Sequence, residues 1–537
     1  MPARRAFLSL SAALLAASLS ATPAPAQTLR FAFQGEVASM DPYALNETFT
    51  TAFLSSIYEP LVRRATDLSL EPGLAERWER EGDTRWRFHL RRDVRFHEGE
   101  AFTADDVVFS LDRIRRPPSN MLARVVTIRS YRAIDPHTLE IETDGPDPTL
   151  LANLTNVLVM SRAWAEKHGA QDVVDLRGRR ENHAARNANG TGPFRLVSYD
   201  PQARTVLARN AEWWDKAAPG NVQEVVFTPI ASDATRVAAL LSGQVDLAWP
   251  IPVQDVARVE RTAGLRMIEQ LELRTVFLGM DQARPELQHS DVRGRNPLAD
   301  IRVREAMYRA IDIAAIRRTV MRGKSRPTAL LNGPGIEGFD EAIDATRPGH
   351  DRARARTLLA EAGYPDGFSL GMHCPNNRYV NDEAICQAAA AMLAQVGIRV
   401  SLTAEPAGQF FARAARREVS FYMLGTTPPT YDSFSTVFGL AMCREDQLQG
   451  RQGLRGQGQF NHGGWCDPEF DRAVDAARTE LDPAKRRAHF AEAWKRMVAG
   501  YAYIPLHQQY LSWGLRQSVT LQPRPDDVLD LRFVTVR

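Results

Sequence analysis

Short apolar runs alternate with amphipathic stretches along the chain, and the order of the two periods predicts an α/β protein. Residues 222–228 read as a strand; Asp233 then caps a helix with Val237, Leu240 and Leu241 on one face, Gly243 closes it, and Val245, Leu247 and Trp249 resume a strand. A second unit of the same kind begins near Phe368, continues through a helix bearing Ile385, Ala389, Met392 and Val396, stops at Gly397 and resumes with Ile398, Val400 and Leu402. Such apolar density fits strands of a parallel sheet covered on both faces. Two units on opposite sides of residues 271–280 suggest two lobes, with that run and residues 502–507 as the crossings. Upstream, residues 86–90 and 94–97 alternate as strand, turn, strand, and residues 104–110 start a helix.

Length supports the division into lobes. A chain of 537 residues exceeds the roughly 250–300 at which a single core stops growing. At the N-terminus Arg4 and Arg5 precede an apolar run from Ala6 to Leu19, and Ala24-Pro25-Ala26 offers small residues for cleavage before Gln27, the pattern of a secretory leader. Arg4-Arg5-Ala6-Phe7-Leu8 also fits much of the twin-arginine export pattern, so both export routes stay open. Removing residues 1–26 takes Lys+Arg from 67 to 65, equal to the 65 Asp+Glu, and this balance argues against nucleic acid as a partner.

Residues 190–214 carry the most specific local signal. Gly190, Gly192 and Pro193 predict an unusual turn; Phe194, Leu196 and Val197 then form a strand, residues 205–207 return, and Asn210 and Trp213-Trp214 follow. This segment resembles that of extracytoplasmic solute-binding proteins of the dipeptide, oligopeptide and nickel class, the receptor subunits of ABC importers. The resemblance extends over nearly the whole chain after residue 26, including Tyr58-Glu59-Pro60-Leu61, Glu71-Pro72-Gly73-Leu74-Ala75 and Ala502-Tyr503-Ile504-Pro505-Leu506-His507.

The resemblance implies a two-lobed periplasmic-binding-protein fold of type II with an extra subdomain, mixed sheets flanked by helices, and a ligand cleft between the lobes. The expected organisation is a signal peptide over 1–26, lobe I over 27–57, 190–272 and 501–537, an extra subdomain over 58–189, and lobe II over 273–500. The expected function is capture of a peptide or peptide-like solute and its delivery to an inner-membrane ABC permease, by a periplasmic monomer without cofactor, metal or catalytic residue. Relatives of this kind also take nickel chelates, sugars or opines, so these remain alternative ligands.

Eight residues are candidates for ligand contact. Arg378 and Tyr379 lie in the loop 375–381, which leads from a strand into a helix N-terminus, where a guanidinium, backbone N–H groups and the helix dipole suit a carboxylate. Trp249 ends a strand before Pro250 and offers an aromatic wall. Thr427, Tyr431 and Asp432 lie in the segment where peptide-binding relatives carry an acidic residue for the peptide amine. Here that position falls near Thr427, and Asp432 is equally suited to cap the next helix. Asn46, beside Glu47, and Arg274 complete the set.

Cys374, Cys386, Cys443 and Cys466 in an exported chain suggest two disulfides, with 374–386 and 443–466 the simplest of three pairings. A zinc site from Cys443, His462 and Cys466 is the alternative, without a fourth ligand. His89 and His97 read as structural or surface residues. Gly367-Phe368-Ser369-Leu370-Gly371 has the letters of a hydrolase nucleophile elbow, but a turn precedes Ser369 and strand-like residues follow it. A metal-chelate receptor would place a histidine such as His373 against the ligand.

Overall fold

The computed structural model describes residues 27–537 except 177, 451, 452 and 455. The predicted leader lies outside the described residues. One sheet of 11 strands runs through the molecule in the order Ile398–Glu405, Phe368–Pro375, Phe421–Thr426, Leu265–Met280, Tyr503–Arg516, Leu247–Trp249, Thr28–Phe33, Glu224–Pro229, Arg204–Arg209 and Phe194–Asp200, with Ser325–Pro327 paired to the side of Tyr503–Arg516. The pairs on either side of Thr28–Phe33, and that between Phe368–Pro375 and Ile398–Glu405, are parallel. A separate four-stranded antiparallel sheet is formed by Ala75–Glu81, Arg85–Leu90, Thr138–Thr143 and Ile128–Asp135.

The two long central strands hold the halves together. Leu265–Leu271 pairs with Tyr510–Arg516 on one side, Thr275–Gly279 pairs with Tyr503–Gln508 on the other, and the register shifts between Leu271 and Thr275. Glu272, Leu273 and Arg274 occupy that irregularity, which is how a β-bulge re-aims side chains.

Each half has its own core. Trp249 stacks on Trp513 at 4.4 Å and packs with Phe31, Phe33 and Phe49 in an apolar cluster that continues into the four-stranded sheet through Phe88 and Ile141. The other half buries Ile385, Ala389, Leu393, Phe421 and Met423 in one cluster and Phe470, Phe490, Trp494 and Tyr503 in a second. Disulfides join Cys374 to Cys386 and Cys443 to Cys466, so the cysteines of the contemplated zinc site are consumed by bridges.

Local chemistry explains most element limits. The helix Asp233–Ser242 ends at Gly243, whose φ of 78° is costly for any residue with a β-carbon. Its N-cap is Ser232, whose hydroxyl accepts from the Thr235 N–H; Asp233 instead pairs with Arg236 inside the first turn. Residues 94–97 form no strand. A single bridge between Arg95 and Ala101 and the turn at Gly99 close a loop there, and the His97 N–H donates to the Gly190 carbonyl. The strand Phe194–Asp200 carries a bulge between Leu196 and Ser198, which leaves Val197 exposed.

The turn at residues 190–193 works differently from the sequence expectation. Neither Gly190 nor Gly192 has a positive φ. A β-carbon on Gly190 would lie 2.1 Å from the Ile57 carbonyl oxygen, and one on Gly192 would lie 2.7 Å from the same atom. Close backbone approach is the reason for glycine here. It brings the hairpin against residues 56–59, where the Gly192 N–H donates to the Ile57 carbonyl.

Candidate ligand-binding site

Three separated sequence signals meet at one carboxylate. Glu59 accepts from Trp213 Nε1 at 3.1 Å, from Trp214 Nε1 at 3.0 Å and from Thr191 Oγ1 at 2.9 Å. Burial pushes the Glu59 carboxyl up, and these three donors push it back down. The paired tryptophans are therefore anchors that fix the segment at Glu59 to the one that follows the strand Arg204–Arg209.

Beside this anchor lies a cavity of about 330 Å³, at the low end of the roughly 300–1,000 Å³ usual for small-molecule pockets. Residues 46–64 and Arg124 form one side, Thr427, Pro429 and Tyr431 another, and the C-terminal segment from Arg524 to Arg532 a third. Arg64 ties the sides together: it donates to the Leu68 and Thr430 carbonyls, at 2.7 and 2.8 Å, and its guanidinium lies 4.3 Å from the centre of the Tyr431 ring. Tyr431, with φ of 56°, donates its hydroxyl to Asp526 at 2.8 Å. Leu68, Leu273, Ile336 and Tyr431 make a small apolar contact between the halves.

Most charges around the cavity are already matched. Glu47 caps the helix Thr48–Leu54 through the Phe49 and Thr50 N–H groups, Arg63 pairs with Glu71 and Asp215, and Arg524 and Arg532 pair with Asp526 and Asp530. Arg124 is different. It is 8 % exposed, its Nη2 donates to Asn46 Oδ1 at 3.1 Å, and its buried Nε has no partner. Neither Arg124 nor Arg64 has a carboxylate within ion-pair distance among the described residues. Burial lowers the pKa of both. The Thr427 hydroxyl, also on the lining, is buried without a partner.

Of the eight candidates, Asn46, Thr427 and Tyr431 line this cavity. Arg274, Arg378 and Tyr379 gather beside the bulge of the central strands. Tyr379 Oη accepts from the Gly425 N–H at 2.7 Å, Arg274 donates to Glu272 at 2.9 Å, and Glu272 also accepts from Gln509. Arg378 is exposed, and its guanidinium stacks on the Tyr379 ring at 5.4 Å. The helix N-terminus behind it is not open to an anion: Asp382 accepts from the Arg378, Tyr379 and Glu383 N–H groups.

Two candidates are engaged within the scaffold. Trp249 is fully buried in the aromatic stack and exposes no face as a wall, because its strand ends under Trp513 and Phe49. Asp432 caps the helix Ser433–Leu440 through the Phe434 N–H and holds Arg486 through two bonds of 2.5 and 2.9 Å.

Sequence reasoning passed over Arg64, Arg124 and Asp527. Asp527 sits at φ 65° with a buried, unpartnered Oδ1; burial and the neighbouring charge of Glu272 push its carboxyl well up, while Arg274 opposes them. A lone arginine between Met121-Leu122 and Val125-Val126 was the one local signal for Arg124.

Ser369 lies inside the strand Phe368–Pro375 with its N–H bonded to Asp291 and its hydroxyl beside Arg399, so no strand-to-helix elbow exists there. His97 accepts from the Gly190 N–H and contacts the Gly192 carbonyl, a structural role. His89 pairs with Glu79 near the surface. His373 packs on His289 at 5.1 Å within the core and is 5 % exposed. Among the described residues no cluster of three or more metal-binding side chains occurs, and no helix is long and apolar enough to cross a membrane.

The model of bacterial extracellular solute-binding proteins, family 5 Middle, matches residues 69–446. The chain belongs to this family. It is 26% identical over 504 residues to the glutathione-binding protein GsiB of Salmonella choleraesuis, covering 93% of this chain and 92% of that one. It is 26% identical over 555 residues to the dipeptide-binding protein of Escherichia coli, covering 96% and 93%. The periplasmic binding protein DppA of Helicobacter pylori, solved with the peptide STSA, superimposes with a TM-score of 0.76 at 22% identity over 95% of this chain and 98% of that one. The two-lobed solute-binding architecture expected from the sequence is therefore established, and the cavity lies where its lobes meet.

Proposed function

We propose that this solute-binding protein takes a peptide or peptide-like solute into the cleft between its lobes and presents it to an inner-membrane ABC permease. The observation that supports the reading is a cavity whose sides come from both lobes and whose lining carries the Thr427 hydroxyl without a partner and Arg64 and Arg124 without a carboxylate among the described residues, with Arg378 exposed outside that lining. Relatives bearing the names glutathione-binding and dipeptide-binding support a peptide class. Arg378 takes the ligand carboxylate, Tyr431 supplies an aromatic wall and Thr427 a hydrogen bond. The protein works as a periplasmic monomer released from its leader at Gln27. Closure of the lobes follows from the ligand's preference for the state in which both lobes touch it.

The test is thermal unfolding of the protein from Gln27 onward against di- to pentapeptides, glutathione, opines, sugars and nickel-histidine. A ligand that binds only the folded state raises Tm. The expected result is a rise with peptides that Arg378→Ala weakens at least tenfold. A rise confined to nickel-histidine, an opine or a sugar overturns the peptide class and keeps the receptor.

A further inference from the structure

A guanidinium removed from water without a counter-charge is costly, and proteins bury such groups almost always beside a carboxylate. The scaffold meets this cost in two ways: with a carboxylate or, at buried Arg304, with four hydrogen bonds to the Leu298, Ala299 and Gly500 carbonyls. Arg113 is 1 % exposed and holds Asp41 through two bonds of 2.7 and 2.6 Å, and Arg486 does the same with Asp432. Among the described residues Arg124 has neither, with one side-chain amide as its hydrogen-bond partner, in a cavity that Arg64 also lines. The carboxylates on that cavity cannot serve them, because Glu47, Glu59, Asp526 and Asp530 each accept from other donors.

We propose that Arg124, with Arg64 on the same cavity, is the counter-charge for an anionic group of the ligand, so that this receptor selects acidic solutes. The group is a carboxylate, which a guanidinium fork can meet with two parallel hydrogen bonds; Arg124 keeps a free Nε for this, and Asn46 holds its Nη2 in place. The burial that lowers the pKa of both arginines is relieved when an anion arrives, so the cost built into the empty cavity becomes selectivity for charge. The inference deepens the reading of the cleft as a ligand site and assigns it an anion subsite apart from Arg378.

The experiment uses probe pairs of equal shape that differ in charge: Ala-Glu with Ala-Gln, glutarate with its monoamide, and phosphoserine with serine. Affinities are measured by calorimetry on the whole protein from Gln27 onward and on Arg124→Gln, Arg124→Lys and Arg64→Gln. The expected result is at least one pair whose anionic member binds tenfold or more tightly, with the ratio falling below threefold in Arg124→Gln and largely restored in Arg124→Lys. Selectivity in the phosphoserine pair alone assigns the subsite to phosphate and overturns the carboxylate assignment. Selectivity in the glutarate pair without binding of either peptide upholds the subsite and overturns the peptide class. Equal binding of Ala-Glu and Ala-Gln with no selectivity elsewhere upholds the peptide class and overturns the subsite. Silence of every pair at millimolar concentration, or selectivity that survives in Arg124→Gln, also overturns it. If Arg124→Gln does not fold, Arg64→Gln reads the same ratio.

Discussion

Arg113 and Arg124 lie eleven positions apart in the chain and in opposite electrostatic settings. Arg113 projects from the helix Ala104–Arg115, holds both oxygens of Asp41, and also donates to the Ala170 and Asp172 carbonyls, while Asp41 accepts from the Tyr43 and Val174 N–H groups. Four of the five N–H groups of Arg113 and both oxygens of Asp41 are used. Arg124 has one neutral acceptor and a cavity in front of it. The contrast separates charge that maintains the fold from charge held open for something else, and burial alone does not distinguish them.

The largest effect should come from breaking the closed pair. Asp41→Ala leaves Arg113 buried alone and should cost about 3–5 kcal/mol of unfolding free energy in denaturant titrations, and Asp432→Ala should do the same to Arg486. An effect below about 1 kcal/mol would erase the distinction.

A smaller effect is set by pH. His507, on the central strand Tyr503–Arg516, is fully buried with both ring nitrogens unpartnered, and burial followed by the nearby Arg347 charge lowers its pKa from 6.5 to about 4. The unfolded chain protonates this ring first as pH falls, so stability is complete above about pH 6.5 and is lost towards pH 4, by about 3 kcal/mol. His507→Phe should flatten that part of the stability profile, measured as Tm against pH. His97 and His462, also lowered to about 4, leave a residual slope of the same sign.

Smaller still is the effect of opening nothing. Arg124→Gln removes a buried charge that has no counter-ion, and its unfolding free energy should stay within about 1 kcal/mol of the parent or rise slightly. A loss as large as that of Asp41→Ala would place Arg124 with the scaffold. Thr427→Val, which replaces an unpartnered buried hydroxyl by a methyl, should lie within about 0.5 kcal/mol, also by denaturant titration.

The alternation of periods in units 222–249 and 368–402 made their strands and helices legible, but only the second unit pairs its own two strands; in the first, Thr28–Phe33 lies between them. The crossings were legible as runs of apolar residues that end outside any such unit. What could not be read was convergence over long separations. Glu59 and the tryptophans at 213 and 214 were both conspicuous, yet their hydrogen bonds span more than 150 positions. Asp432 looked equally suited to a cap and to a ligand, and only Arg486, 54 positions later, decides for the scaffold. Trp249 was correctly placed at a strand end but misjudged as a wall, since Trp513 arrives from the far end of the chain to cover it. Arg124 had only its apolar neighbours to mark it in the sequence, because what sets it apart is the carboxylate that no other segment brings.

The position of Tyr503–Arg516 in the sheet has a consequence for the chain's order of assembly. It is paired with Leu247–Trp249 on one side and Leu265–Met280 on the other, so the last strand this sheet takes from the chain lies in its middle. Synthesis delivers the N-terminus first, but the sheet of either half stays incomplete until about residue 516 is available, and the contacts that then form link residues more than 200 positions apart. The closing stitch of both lobes is thus the last long strand to be made, which gives the nascent chain a late, single commitment to its folded state.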